Sequence, residues 1–94
     1  MILSYRDKRT RAFADGVSVP AFHGFARAAW KRLEMLDAAN GLEDLQGIRS
    51  NRLEALKGDR KGQYSIRINK QWRICFKWPS GTPDPSDVEI VDYH

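Results

Sequence analysis

Apolar and polar residues alternate along two neighbouring segments, and this alternation is the strongest constraint that the sequence places on the fold. Residues 64–68 and 72–78 carry an apolar side chain at every second position, which is the spacing of strands with one buried face. A three-residue turn at 69–71 sets Ile66 opposite Ile74, whereas a two-residue turn would mix the two faces. We therefore predict an antiparallel hairpin with the three-residue turn.

The same register defines an outer face of the hairpin. It sets Arg67 opposite Arg73, and Ser65 opposite Cys75, on the side away from the apolar residues. Two like charges directly opposite each other destabilise a sheet unless an anion or an acidic side chain lies between them. The arginine pair is therefore a first, small indication of an anionic ligand.

Upstream of the hairpin the apolar period is helical. Residues 22–36 place apolar side chains three and four positions apart, which predicts one long amphipathic helix with a single face to bury. Pro20 is suited to its first turn, and Asn40 with Gly41 is suited to end it in the left-handed conformation. Residues 42–48 predict a further short helical turn.

The chain ends complete the domain. Residues 2–5 predict a strand and residues 7–13 a short charged helix. A proline-containing loop at 79–86 precedes a last strand at 87–94, which we expect to be held in the sheet to its end. This order predicts a single α+β domain over residues 1–94, with a small antiparallel sheet packed on one face by two N-terminal helices and open on the other.

The positive charge is concentrated in one segment. The chain has 16 Lys and Arg against 12 Asp and Glu, a net +4. Residues 49–77 hold nine basic and two acidic residues, a net +7, which leaves −3 for the rest. This asymmetry favours a one-sided basic surface that meets phosphates, although a solvated charged strand face would give the same pattern.

Other functional classes find little support in the composition. Cys75 is the single cysteine, so no internal disulfide and no Cys/His metal spacing is possible, and we expect a packed thiol and no cofactor. No apolar run approaches the ~20 residues of a membrane span, and the N-terminus lacks a signal-peptide core. We therefore expect an intracellular, cytoplasmic protein that does not contact a membrane.

Five residues carry the chemistry that an RNA-cleaving site needs. Lys57 and Arg73 can neutralise phosphate, Glu54 and His94 can transfer protons, and Tyr93 can stack on a base. Such a set suffices for cleavage without a metal, in which a base activates the ribose 2′-OH and an acid protonates the departing 5′-oxygen. The alternative is that His94 is merely solvated and that Glu54 pairs with a neighbouring cation at the surface.

The other cations of the basic segment are candidates for contacts with RNA or a ribosome. They are Arg49, Arg52, Arg60, Lys61, Arg67, Lys70 and Lys77.

Three motifs occur in an order that is typical of one known family. They are Leu-Lys-Gly-Asp-Arg at 56–60, Trp-Arg-Ile at 72–74 and Asp-Tyr-His at 92–94. With the residues around them, over nearly the whole chain, they resemble the HigB branch of the RelE-type bacterial toxins. The resemblance implies the toxin of a toxin–antitoxin pair, which enters the ribosomal A site and cuts messenger RNA there without a metal.

The resemblance also implies partners and roles. The partner would be a HigA-type helix-turn-helix antitoxin, and operator DNA would be met only through the antitoxin complex. Lys57, Arg73, Tyr93 and His94 fall on the family's functional positions. Some members have a histidine where this chain has Glu54, so the general base is either Glu54 or His94. Two rival functions remain open: a regulatory module that binds nucleic acid and antitoxin without catalysis, and a ribonuclease that acts on naked RNA.

Overall fold

Three α-helices are followed in the chain by four β-strands. A computed structural model describes residues 1–92 of the chain. Its helices are α1 (Lys8–Ala14), α2 (Ala26–Ala38) and α3 (Leu42–Gln46), and its strands are β1 (Glu54–Ala55), β2 (Gln63–Arg67), β3 (Trp72–Lys77) and β4 (Ser86–Asp92). Short 3₁₀ turns occupy Pro20–Phe25, Arg49–Asn51 and Gly58–Arg60. The predicted α+β class is confirmed.

The sheet is antiparallel in the order β1-β2-β3-β4, and the predicted hairpin register is confirmed. Ile66 pairs with Ile74, and Arg67 pairs with Arg73. The three-residue turn is held by Asn69, whose side-chain oxygen accepts hydrogen bonds from the backbone N–H groups of Gln71 and Trp72, both at 2.8 Å. An Asn side chain that binds backbone two residues on is a common way to close a turn.

The helices cover the inner face of the sheet, as predicted. Leu33 and Leu36 of α2 and Phe13 of α1 belong to one buried apolar cluster with Ile66 and Ile74. All five side chains are almost fully removed from water. Each such side chain contributes about 1.5–3 kcal/mol relative to an exposed one, so this layer is the main source of stability.

The long helix differs from its prediction at both ends. Residues 20–25 form a 3₁₀ turn, and the α-helix begins only at Ala26. At the other end Ala39 is extended and Gly41 has φ −176°, so the predicted left-handed stop is wrong. The chain stays extended there because the Asn40 N–H donates to Asp44 Oδ2 at 2.8 Å, which leads directly into α3.

The predicted N-terminal strand is reduced to one bridge. Tyr5 pairs with Val88 in parallel, and the Leu3 N–H donates to the Pro85 carbonyl at 3.0 Å. The segment therefore lies along β4, but it does not extend the sheet as a strand. β4 itself begins at Ser86, one residue earlier than predicted, and a bulge places Asp87 at φ 51°. No helix in residues 1–92 is long and apolar enough to cross a membrane.

Candidate active site

One row of side chains crosses the outer face of the sheet. The registers pair Glu54 with Ser65, Ser65 with Cys75, and Cys75 with Glu89, one residue from each of the four strands. No helix of residues 1–92 covers this face, yet Ser65 and Cys75 have no exposed surface. Arginine side chains make the hydrogen bonds over this part of the sheet, so the face is less open than the sequence predicted.

Arg73 is the arginine nearest the centre of the row. Its Nη1 donates to Ser65 Oγ at 2.6 Å and to the Arg52 carbonyl at 3.4 Å. Because Ser65 is fully buried, its hydroxyl is a fixed acceptor. Arg52 reaches this position with φ 45°, in the left-handed region that non-glycine residues rarely adopt. Two neighbouring segments thus set the position of the Arg73 guanidinium.

Arg73 and Arg67 donate hydrogen bonds in different directions along the hairpin. The Arg67 Nε donates to the Asn69 carbonyl at 3.1 Å, toward the turn, whereas Arg73 reaches back to Ser65. The two charged groups therefore lie in opposite directions along the hairpin, and this divergence relieves the repulsion that the register alone implies.

Arg60 makes a second network across the same face. Its Nη1 donates to Gln63 Oε1 of β2 at 3.0 Å, and its Nη2 donates to Glu89 Oε1 of β4 at 3.1 Å. To reach both strands the side chain must pass over β3. Since Arg60 ends the turn that follows Lys57, this network attaches the Lys57 segment to the sheet.

Glu54 and Lys57 line the same cavity. The cavity has a volume of about 550 Å³ and is bounded by Glu54, Ala55, Leu56, Lys57 and Arg60. Glu54 and Lys57 are exposed, so a proton acceptor and a fixed cation face one solvent-filled space. Arg73 is connected to it through Ser65, the register partner of Glu54.

Cys75 lies in the middle of the row and is not a nucleophile. Its side chain is fully buried, and burial raises the pKa of its thiol, with Glu89 acting in the same direction. A thiol with a raised pKa stays protonated at neutral pH and is unreactive. The prediction of a packed thiol is confirmed.

The structure separates the remaining predicted cations into two groups. Lys77 pairs with Asp87 at 3.1 Å, and Arg60 and Arg67 hold the acceptors described above. The second group is exposed on the surface and comprises Arg49, Arg52, Lys61 and Lys70.

Tyr93 and His94 lie outside the described residues. β4 is described as far as Asp92, which pairs with Trp72, the neighbour of Arg73. The Gln71 side chain also donates to Asp92 Oδ2 at 3.0 Å. The described end of the last strand is therefore fixed at the end of the hairpin that carries Arg73.

Sequence reasoning missed three participants in the site. Ser65 was placed on the outer face but given no role, Glu89 was not singled out, and Arg60 was considered only as an RNA contact. A serine in the middle of a strand, on the same face as Arg73 and diagonal to it in the predicted register, is the available signal for Ser65. No group of His, Cys, Asp or Glu within residues 1–92 is arranged to hold a metal ion.

The same fold occurs in a solved structure. The YoeB/ParE toxin from Agrobacterium tumefaciens shares it with a TM-score of 0.50 and 16% sequence identity, over 99% of this chain and 97% of that chain. At this identity the likeness concerns the fold alone, which is that of a RelE-like toxin.

The family follows from the sequence. Residues 4–94 match the family described as "RelE-like toxin of type II toxin-antitoxin system HigB", and the chain therefore belongs to the HigB-like toxins. It is 38% identical to Toxin HigB-1 of Vibrio cholerae over 86% of this chain and 87% of that protein. It is 36% identical to Endoribonuclease HigB of Proteus vulgaris over 67% of this chain and 65% of that protein. A toxin of this kind has an antitoxin as its partner.

Proposed function

We propose that this toxin is an endoribonuclease that cleaves messenger RNA in the ribosomal A site, by attack of a ribose 2′-OH and without a metal ion. The observation that carries the proposal is the Arg73 guanidinium, fixed by Ser65 and Arg52; Ser65 pairs with Glu54, which lines a cavity together with Lys57. The name of the Proteus vulgaris relative, an endoribonuclease, supports the same reaction class.

The reaction needs charge stabilisation and two proton transfers. A base removes the 2′-OH proton, a bond forms from the 2′-oxygen to phosphorus, and the bond from phosphorus to the 5′-oxygen breaks as an acid protonates that oxygen. The products are a 2′,3′-cyclic phosphate and a free 5′-hydroxyl. Arg73 and Lys57 neutralise the charge that develops on the phosphate, a type of stabilisation that is typically worth 10²–10³-fold in rate.

Glu54 and His94 share the two proton transfers, and Tyr93 orients the nucleotide. Glu54 faces the cavity beside Lys57. The position of Asp92 beside Trp72 supports roles for the last two residues, because Tyr93 and His94 follow Asp92 in the sequence.

The shallowness of the site supports dependence on the ribosome. Glu54 and Lys57 are exposed on an open face, and an open site aligns a flexible RNA strand poorly by itself. The exposed cations Arg49, Arg52, Lys61 and Lys70 are suited to phosphate contacts with the ribosome and its messenger. The proposed antitoxin is a HigA-type helix-turn-helix protein that carries the complex to operator DNA, and the proposed compartment is the cytoplasm.

Mapping of messenger RNA ends after brief expression tests the reaction, the substrate and the ribosome dependence together. We expect cuts within translated frames, in phase with codons, and growth arrest that deletion of His94 relieves. Purified protein should cleave programmed ribosomes and leave the same RNA intact without ribosomes. A folded protein that is harmless in cells and inert on ribosomes would instead be a regulatory binder, and equal cleavage of naked RNA would exclude the ribosomal step.

A modified substrate assigns the acid and the base. In RNA with sulfur in place of the 5′-oxygen at the cut, the departing thiolate needs no proton, so loss of the acid becomes nearly harmless while loss of the base keeps its full cost. Glu54→Gln and the deletion of His94 are compared on both substrates. If neither variant is rescued, the two residues do not divide the proton transfers between them.

A further inference from the structure

A second cavity lies on the helix side of the hairpin end. It has a volume of about 570 Å³ and lies between the Pro20–Phe25 turn, the first turns of α2 and the β2–β3 turn, with Phe25, Ala28 and Asn69 among its walls. Of the described catalytic candidates, none of Glu54, Lys57 and Arg73 lines it. We call it the hairpin-end groove.

Three basic residues form a stripe along this groove. His23, Arg27 and Lys31 line it. His23 lies in the Pro20–Phe25 turn, and Arg27 and Lys31 are four residues apart in α2, a spacing that sets side chains on one side of a helix. Arg27 and Lys31 are exposed, and neither side chain makes a hydrogen bond or ion pair with a residue in the range 1–92. No acidic residue of that range lines the groove. Arg27 and Lys31 are therefore cations without an acidic partner in residues 1–92, unlike Arg60, while the His23 ring is hydrogen-bonded to Ser18 Oγ at 2.6 Å.

An aromatic ring forms part of the groove wall. The Phe25 ring packs against the Trp72 ring with centroids 4.8 Å apart and planes at 34°, and it also contacts Phe22 at 5.6 Å. Phe25 remains partly exposed, and the neighbours Gly24 and Ala28 are small. A rigidly held, accessible ring beside cations is the combination by which proteins bind an unstacked base and its phosphate.

The groove adjoins the end of the hairpin that carries Arg73. Trp72, which supports Phe25, precedes Arg73 in β3, and Asn69 of the groove wall lies in the turn that carries Lys70. Cations therefore extend from Arg73 on the outer face, around the hairpin end, to Arg27 on the helix side. We propose that the hairpin-end groove binds a nucleotide of the same single-stranded RNA whose phosphate is cut at Arg73. This inference rests on the proposed function.

Binding of single-stranded RNA oligonucleotides to the full chain tests the groove. Three- and nine-nucleotide oligonucleotides with 2′-O-methyl ribose throughout cannot be cleaved, because their 2′-oxygen carries no proton and cannot attack the phosphate, and their affinity is measured by fluorescence anisotropy. The variant Arg27→Ala/Lys31→Ala is compared with Lys8→Ala/Arg11→Ala, which removes two exposed cations from α1. We expect the groove variant to lose about tenfold in affinity for the nine-nucleotide strand and nothing for the three-nucleotide strand, with the control unchanged.

The salt dependence and a second variant separate charge from stacking. Loss of two phosphate contacts should lower the slope of log affinity against log salt by about 1.4, from about 0.7 for each contact on a single strand. Phe25→Leu keeps an apolar side chain against Trp72, and we expect it to weaken binding of the long strand without changing that slope. Thermal unfolding shows whether each variant is folded. If Phe25→Leu does not fold, the comparison of Arg27→Ala/Lys31→Ala with its control still tests the groove.

Two outcomes would overturn the inference. One is equal loss in the groove variant and the control, which would indicate general electrostatic attraction. The other is unchanged RNA binding with weakened binding of the purified antitoxin, which would make the groove a docking surface for an acidic protein segment. Ribosomal cleavage by the wild-type protein is measured in parallel, so that failure of the proposed reaction is distinguished from failure of the groove.

Discussion

The two faces of β3 are buried in different ways. On the inner face Ile74 and Phe76 have no exposed surface because apolar side chains of the helices and the neighbouring strands pack against them. On the outer face Cys75 is equally inaccessible, but the residues around it are joined by hydrogen bonds from Arg60 and Arg73.

The apolar contacts of the inner face therefore provide most of the stability, whereas the hydrogen bonds of the outer face position the groups that we propose for catalysis. Apolar burial is non-directional and scales with the area removed from water. A guanidinium holds its partners in fixed directions, and each such bond contributes about 1.5–3 kcal/mol, whereas truncation of a large buried apolar side chain costs about 2–5 kcal/mol because a cavity remains. Substitutions on the inner face should therefore change the free energy of unfolding most, and substitutions on the outer face should change catalysis more than stability.

The largest effect on stability should come from Ile74→Ala. The side chain is fully buried at the centre of the apolar layer, and truncation of such a residue costs about 2–5 kcal/mol because a cavity remains. Urea unfolding measures the loss, and Ile74→Val, which removes one methyl group, should cost about 0.5–1.5 kcal/mol. A loss below 1 kcal/mol for the alanine variant would show that the inner face is not the main source of stability.

Arg73→Ala, on the outer face, should reduce catalysis more than it reduces stability. We expect ribosomal cleavage to fall about 10²-fold, the cost of removing one group that stabilises transition-state charge. The free energy of unfolding should fall by about 1–3 kcal/mol, because Ser65 loses its partner while it is buried. Arg73→Lys keeps the charge without the planar fork, and its cleavage rate should lie between those of the wild-type protein and the alanine variant. Near wild-type cleavage by the alanine variant would remove Arg73 from the reaction.

The parts of the fold that the sequence predicted depend on local periodicity. The pairing of Ile66 with Ile74 was predictable because a register shift of one residue would move every apolar side chain to the wrong face. The helix end at Asn40 was predicted wrongly, since the conformation there is set by a hydrogen bond to Asp44 rather than by the residue types alone.

The candidate site was predictable only as a set of residue types. Lys57 and Arg73 followed from their motifs, and the hairpin register gave the outer face. The contact of Arg60 with Glu89 joins residues 29 positions apart, and it depends on how the Gly58–Arg60 turn lies across the sheet. No local pattern encodes such a contact, so the network that attaches Lys57 to the sheet required the structure.

Glu89→Gln tests whether that network positions Lys57. The amide removes the charge but keeps an oxygen that can accept from Arg60, so we expect a loss of about 1–2 kcal/mol in stability at this partly exposed pair. Cleavage should fall about threefold to tenfold through kcat, with KM little changed. Asp87→Asn, on the same strand as Glu89, removes the charge from an exposed ion pair with Lys77 and should cost at most about 1 kcal/mol, with unchanged kcat. Equal effects of the two variants on kcat would mean that Arg60 only stabilises the sheet.

The smallest predicted effect is a pH dependence of the free energy of unfolding. It distinguishes the two faces of β3, because Cys75 on the outer face titrates and Ile74 on the inner face does not. Burial raises the pKa of Cys75 above its usual value, so at alkaline pH the unfolded chain loses this proton before the folded chain does. The stabilisation is complete below the ordinary thiol pKa of about 8.5 and declines as the pH rises through the raised folded value. Tyr5, whose pKa is raised by burial and by Asp37, acts in the same direction.

The contribution of Cys75 is isolated as the difference between the wild-type protein and Cys75→Ala. Their stabilities should converge as the pH rises above the ordinary thiol pKa of about 8.5, whereas Ile74→Val should differ from wild type by a constant amount because neither side chain titrates. Urea unfolding at matched ionic strength measures the three curves. A parallel curve for Cys75→Ala would mean that water reaches the thiol through the arginine side chains, and that the outer face is buried less completely than the inner one.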